Sequence, residues 1–131
     1  PSQACDVRTF PRGKRNMSSD EVKKLHSEAT KAIKSRNYDK AVSCYTDALN
    51  KEGPEGKYYH KLLTNRAIAY QRSGQYRSAL KDAEAAIAID ETYFQAYDRK
   101  GDALWSLERT TEAVAAYKSA LACAAIPAPK A

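Results

Sequence analysis

Two histidines and three cysteines are the side chains here best suited to metal ligation or nucleophilic attack. None is arranged for it. Cys5, Cys44 and Cys123 lie far apart, in no ligand spacing. His60 falls in a Tyr58-Tyr59-His60 stretch, read as a loop, with no nucleophile in spaced context. The chain has no Gly-rich phosphate loop, no Gly-x-Ser-x-Gly elbow and no His-Glu-x-x-His helix. The reading is therefore non-enzymatic, with no cofactor and no metal. The chain does carry rows of polar donors three or four residues apart. Lys23, His26 and Thr30 form one row, Lys61 and Asn65 a second with Arg72 two turns further on, and Gln95 and Arg99 a third. On helices each row shares a face. The chemistry open to such rows is recognition, by charge-assisted hydrogen bonds to an anionic partner.

The elements that must hold these rows are visible as a repeat. The segments Tyr38-Asp39-Lys40-Ala41, Tyr76-Arg77-Ser78-Ala79 and Thr110-Thr111-Glu112-Ala113 each open a helix after a short turn. Ala41 to Ala79 is 38 residues and Ala79 to Ala113 is 34. These helices read Ala41, Tyr45, Ala48, then Ala79, Ala83, Ala86, then Ala113, Tyr117, Ala120. The helices before them read Leu25, Ala29, Ala32, then Leu63, Ala67, Tyr70, then Tyr97, Gly101, Leu104. Spacings of three and four keep one packing face, and the small central residue lets two backbones cross closely. A bulky side chain there costs about 1–3 kcal/mol of overpacking. Gly74, just past the first helix of the second pair, is a C-terminal stop.

A period near 34 built from helix pairs resembles the tetratricopeptide repeat. The likeness covers Ser18 to about Ala125. It implies an all-α fold of three tandem helix-turn-helix repeats, at about 22–55, 60–93 and 94–125, in a right-handed superhelical solenoid with a concave groove. The repeat's usual closing Pro is replaced by Gly53, Glu91 and Ala125, and the loop after the first repeat is four residues longer. Ser18 with Glu21 reads as a capping box at the start of the array. The first helix of each pair would line the groove with Lys23, His26, Thr30 and Ile33, then Lys61, Thr64, Asn65, Ile68, Gln71 and Arg72, then Gln95, Asp98, Arg99, Asp102 and Trp105. This wall is polar, with a basic bias near Lys23, Lys61, Arg72 and Arg99.

The segments Leu63-Thr64-Asn65-Arg66-Ala67 and Tyr97-Asp98-Arg99-Lys100-Gly101 resemble chaperone-binding co-chaperone domains. Such domains grip the acidic tail, ending Glu-Glu-Val-Asp, of the seventy- and ninety-kilodalton heat-shock chaperones. Their carboxylate clamp is a Lys and an Asn on the first repeat, an Asn on the second, and a Lys and an Arg on the third. Asn65 and Arg99 match it. His26 stands for the first Lys, Thr30 for the first Asn and Gln95 for the second Lys, so the clamp is degenerate. The resemblance implies a peptide site at His26, Thr30, Asn65, Gln95 and Arg99, with Lys23, Lys61, Arg72 and Trp105 as secondary groove residues. Other roles stand beside these. Asn65 could bond along its own helix, Arg99 could pair with Asp98, Asp102 or Asp82, His26 could be a plain solvent-facing residue, and Trp105 could fill the seam between helices.

Composition bounds the rest. With 43% hydrophobic residues a modest single core is available, rich in Ala and Tyr. No apolar run approaches the roughly 20 residues of a membrane span. The odd, scattered cysteines fit a reducing, cytoplasmic setting, with Cys44 and Cys123 as small packing residues. The formal charge of +6 favours acidic partners. Residues 1–17, holding Arg8, Arg12, Lys14 and Arg15, read as a flexible basic leader, and 126–131 as a tail. Neither nucleic acid nor membrane is the expected partner. After Leu121 the chain turns to Pro127 and Pro129, which leaves the last apolar face without a covering helix. The expectation is a protein-binding, co-chaperone-like adaptor for an acidic peptide or chaperone tail. Its alternative is a scaffold or self-associating module, joined through that uncapped end and using no clamp.

Overall fold

The computed structural model describes residues 20–125. The basic leader, the cap at Ser18 and the tail lie outside this range. Among the described residues there are six helices and no strand. Helix α1 covers 20–34. It is followed by α2 (Tyr38–Glu52), α3 (Tyr59–Arg72), α4 (Tyr76–Ile89), α5 (Phe94–Ser106) and α6 (Thr110–Ala124). Helices α2, α4 and α6 begin where the repeat places their first residues, at Tyr38, Tyr76 and Thr110.

Each helix pair turns by the same device. The second residue after the first helix adopts a left-handed conformation: Arg36 at φ 63°, Gly74 at 87° and Glu108 at 64°. These positions are separated by the repeat spacing of 38 and 34 residues. The following amide then reaches back five residues. Asn37 N–H donates to Ala32 O at 2.8 Å, Gln75 N–H to Tyr70 O at 2.8 Å and Arg109 N–H to Leu104 O at 2.9 Å. These bonds satisfy carbonyls that the helix end leaves open. Only the central copy uses glycine, so the sequence showed one of three equivalent stops.

The small residues sit where close approach requires them. Ala29, Ala67 and Gly101 on the first helices are buried, as are Ala41, Ala79 and Ala113 on the second. One core cluster runs from Val22 and Ala29 through Tyr45 and Leu49 to Leu62 and Leu63. A second joins Ala67, Leu80, Leu104, Ala113 and Ala116. Helix α3 packs against α2 and α4, and α5 packs against α4, α6 and α3. This α3–α5 contact sets first helices side by side, as a shared groove wall demands.

Two polar devices brace the stack. Arg66 donates to both oxygens of Asp82, from Nε at 2.7 Å and Nη2 at 2.8 Å, and from Nη1 to Thr46 Oγ1 at 3.0 Å. With Asp82 buried, this ties α3 to α4 and α2. In the long loop, Glu52 accepts from the Tyr58 N–H at 2.9 Å. At the far end, Leu121 is 72% exposed and Val114 43%, so α6 presents apolar side chains on its outer side among the described residues.

Candidate peptide-binding groove

The first two repeats form one part of the groove. A cavity of about 400 Å³ opens between α1 and α3. Val22 and Leu62 give it an apolar floor, and Tyr58 and Tyr93 give it aromatic sides. His26 and Asn65 supply its neutral polar groups, and Lys23 and Lys61 its cationic rim. Lys57 and Lys61 lie over the Tyr58 ring, with Nζ 5.2 and 5.7 Å from its centre, which keeps positive charge beside an aromatic wall.

His26 and Asn65 are in direct contact. The Asn65 Nδ2 lies 3.0 Å from the His26 Nε2. The alternative in which Asn65 bonds along its own helix is therefore not the one realised. The His26 ring also meets Tyr45 edge-on, with centroids 5.9 Å apart. Thr30 behaves differently from the asparagine it replaces. Its hydroxyl donates to the His26 carbonyl one turn back, at 2.9 Å, so its donor is already spent.

Arg99 anchors the third repeat. Its Nη1 donates to Asp102 Oδ2 at 3.2 Å, choosing Asp102 among the three acidic neighbours named from sequence. Asp82 instead belongs to Arg66. Asp102 is held from behind by the Tyr117 hydroxyl, which donates to Oδ1 at 2.6 Å. Burial and the adjoining Asp102 charge push the Tyr117 phenol well above its ordinary value. Gln71 bridges the repeats, donating from Nε2 to Ser106 Oγ at 2.8 Å and to the Asp102 carbonyl at 3.3 Å. Gln95, half-buried, lies one turn before Arg99 on α5.

Three readings need correction. Trp105 is 57% exposed, so it does not fill the helix seam. Thr64 is buried and bonded to the His60 carbonyl at 3.0 Å, which removes it from the open wall. His60 lies in the first turn of α3 and not in a loop, because the helix begins at Tyr59. Its ring packs edge-on to Tyr93 at 4.8 Å and lies 3.9 Å from Asp90. The sequence reading missed the Asp102–Tyr117 link. Its signal was a tyrosine on α6 whose ring faces the one glycine inside α5.

Comparison with known proteins gives this geometry a family. A family model described as "Tetratricopeptide repeat" matches residues 64–128. The first TPR of Spaghetti (RPAP3), solved bound to the HSP90 peptide SRMEEVD, superposes with a TM-score of 0.73 at 32% identity. The match covers 80% of each chain. The chain belongs to the tetratricopeptide repeat family. The Sgt2 tetratricopeptide domain from Aspergillus fumigatus matches at 35% identity and TM-score 0.74, over 79% of this chain and 66% of that one. The small glutamine-rich tetratricopeptide repeat-containing protein 2 of Saccharomyces cerevisiae is 37% identical over 97 residues, which is 74% of this chain and 27% of the yeast protein. The chain thus spans about a quarter of the length of the curated relatives it matches. What these relatives share with it is the tetratricopeptide repeat. Among the described residues no helix is long and apolar enough to cross a membrane.

Proposed function

We propose that this domain is a non-catalytic adaptor whose concave groove holds an acidic C-terminal peptide of the chaperone-tail type. The observation that carries this reading is the placement of Asn65 and Arg99 on neighbouring first helices, with His26 3.0 Å from Asn65. Support comes from the related Spaghetti domain, which has been solved with a peptide ending Glu-Glu-Val-Asp. In this reading His26, Asn65, Gln95 and Arg99 contact carboxylates directly, and Thr30 supports His26 through its carbonyl. Lys23, Lys61 and Arg72 add positive field, and Trp105 offers an exposed aromatic surface toward the end of the groove. Among the described residues Cys44, buried, and Cys123, partly so, are unpaired, which supports placing the domain in a reducing cytoplasm.

Titration calorimetry with a pentapeptide ending Glu-Glu-Val-Asp, in low salt, tests this. Binding is expected with a free C-terminal carboxylate and is expected to be lost on amidation and with Arg99→Ala. Equal binding of free and amidated peptides, or an Arg99→Ala variant as tight as the parent, ends the proposal.

A second reading, a scaffold or self-associating module that does not use the clamp, draws on two features. Arg99 is partly neutralised by Asp102, and Leu121 and Val114 stand open on α6. Sedimentation of the parent and Leu121→Glu chains separates this reading from the first. A parent dimer dispersed by the substitution supports self-association.

A further inference from the structure

The contact between His26 and Asn65 has a direction. The Asn65 Nδ2 is a donor only, so the His26 Nε2 that faces it at 3.0 Å must accept. A ring nitrogen accepts only when it carries no proton. This contact requires the ring tautomer that leaves Nε2 without a proton. A second proton turns Nε2 into a donor and sets donor against donor. The contact survives only if the Asn65 amide exchanges its two ends, bringing Oδ1 to the ring and freeing Nδ2.

The surroundings decide when that happens. Lys23, from the same helix, and Lys61, from α3, share the cavity wall with His26. The titratable groups on other sides are the phenols of Tyr45 on α2, Tyr58 at the start of α3 and Tyr93 before α5. Among the described residues no carboxylate lines the cavity. Without ligand, a charged imidazole would face two ammonium groups and no anion. With a carboxylate in the cavity, the repulsion is offset and the released Asn65 Nδ2 gains an acceptor, beside the Nδ1–H that the ring carries in both states. A charge-assisted bond is about twice as strong as a neutral one.

We infer that His26 and Asn65 form a carboxylate-binding pair that is completed by a proton, so that the groove takes up one proton as it closes on an acidic peptide. This rests on the acidic-peptide reading and adds to it a specificity device. Where a lysine at this position would grip at any pH, His26 makes the grip depend on acidity. An imidazole changes charge between about pH 5 and 8, which covers the range of cellular compartments.

The sign follows from linkage. An anion beside His26 raises the pH at which the bound ring loses its proton. The extra affinity is therefore fully present below the free ring's titration and disappears as pH rises through the bound ring's. The peptide's own carboxylates are ionised throughout if the lower limit is held at pH 5.5.

The test is calorimetry of the full chain with the same pentapeptide at pH 5.5, 6.5, 7.5 and 8.5. Parent affinity is expected to fall about tenfold across this range. The uptake of one proton should show as heat that varies with the buffer. His26→Gln should be weak and His26→Lys tight, both with little pH dependence. A parent profile no steeper than that of His26→Gln overturns the inference. If His26→Lys still binds tightly in that case, the acidic-peptide reading stands without it. If the parent and His26→Lys both fail to bind at every pH, that reading falls and takes the inference with it. Nuclear magnetic resonance of the free chain gives a ligand-independent check. The side-chain amide signals of Asn65 should shift with the His26 ring titration, and amide signals unmoved by that titration would also overturn the inference.

Discussion

A Cβ placed on Gly101 would lie 2.5 Å from Cε1 of Tyr117 and 2.7 Å from its Cδ1. The glycine is therefore a seat for an aromatic ring. That ring's hydroxyl fixes Asp102, and Asp102 in turn holds Arg99. A packing requirement at the α5–α6 crossing is thus transmitted through three side chains to the groove. Replacing Gly101 by Ala adds helix propensity worth about 1 kcal/mol. It also forces a partly buried ring, held by its hydroxyl to Asp102, to move, which costs about 1–3 kcal/mol. The second effect should win. Chemical denaturation of Gly101→Ala is expected to show a net loss of about 1 kcal/mol, and an unchanged or raised midpoint would contradict this packing account.

Alkaline pH should act through the same ring. Burial, followed by the Asp102 bond, raises the Tyr117 phenol above its ordinary value near 10. Burial likewise raises Tyr45 and Tyr93. For a group whose value is raised by folding, stability is complete below the unfolded value and is lost as pH climbs toward the folded one. Stability should hold up to about pH 10 and fall steeply above it. Tyr117→Phe should show a shallower fall. Guanidinium melts at a series of pH values from 8 to 11 measure both, and parallel curves for the two proteins would rule out Tyr117 as a main contributor.

The repeat and most of its placement were legible in the sequence, for a physical reason. Close helix crossings admit only small residues, so Ala29, Ala67, Gly101 and their partners had to recur in register. Helix starts at Tyr38, Tyr76 and Thr110 followed from the same spacing. Side-chain pairing was less legible, because it depends on distances between helices that a pattern of residue types does not fix. Arg99 had three acidic candidates and took Asp102, while Asp82 went to Arg66. The His26–Asn65 contact joins positions 39 residues apart whose identities, taken singly, announce nothing. The helix start at Tyr59 was obscured by a run of aromatic residues that reads equally well as a loop.

Asp102 should work against an acidic ligand even while it orders Arg99. The pair is partly exposed, with both side chains about one-third accessible, so its orienting value is modest, at about 0–1 kcal/mol. Its negative charge, by contrast, lies on the wall where a peptide carboxylate would sit. Asp102→Asn keeps an acceptor for the Tyr117 hydroxyl and removes the charge. Affinity for the pentapeptide is expected to rise about threefold in low salt, with the gain shrinking as salt screens it. Fluorescence anisotropy at two salt concentrations measures this. Weaker binding by Asp102→Asn would mean that orientation of Arg99 outweighs repulsion.

The turn residues offer a cleaner test of the repeat itself. Arg36 and Glu108 hold the left-handed conformation that Gly74 adopts without penalty. A non-glycine residue there is strained by about 1–2 kcal/mol. Glycine relieves the strain but gives back part of the gain through a freer unfolded chain, about 0.5–1 kcal/mol. Arg36→Gly and Glu108→Gly should therefore each stabilise by about 0.5 kcal/mol, and together raise the melting temperature by about 5 °C. Gly74→Ala should do the opposite, since a Cβ meets no neighbouring atom there and only the backbone resists it. Thermal melts of the parent, the two single glycine variants, their double and Gly74→Ala decide the matter. If the glycine substitutions lower the midpoint while Gly74→Ala raises it, then backbone strain at the shared turn does not limit this array.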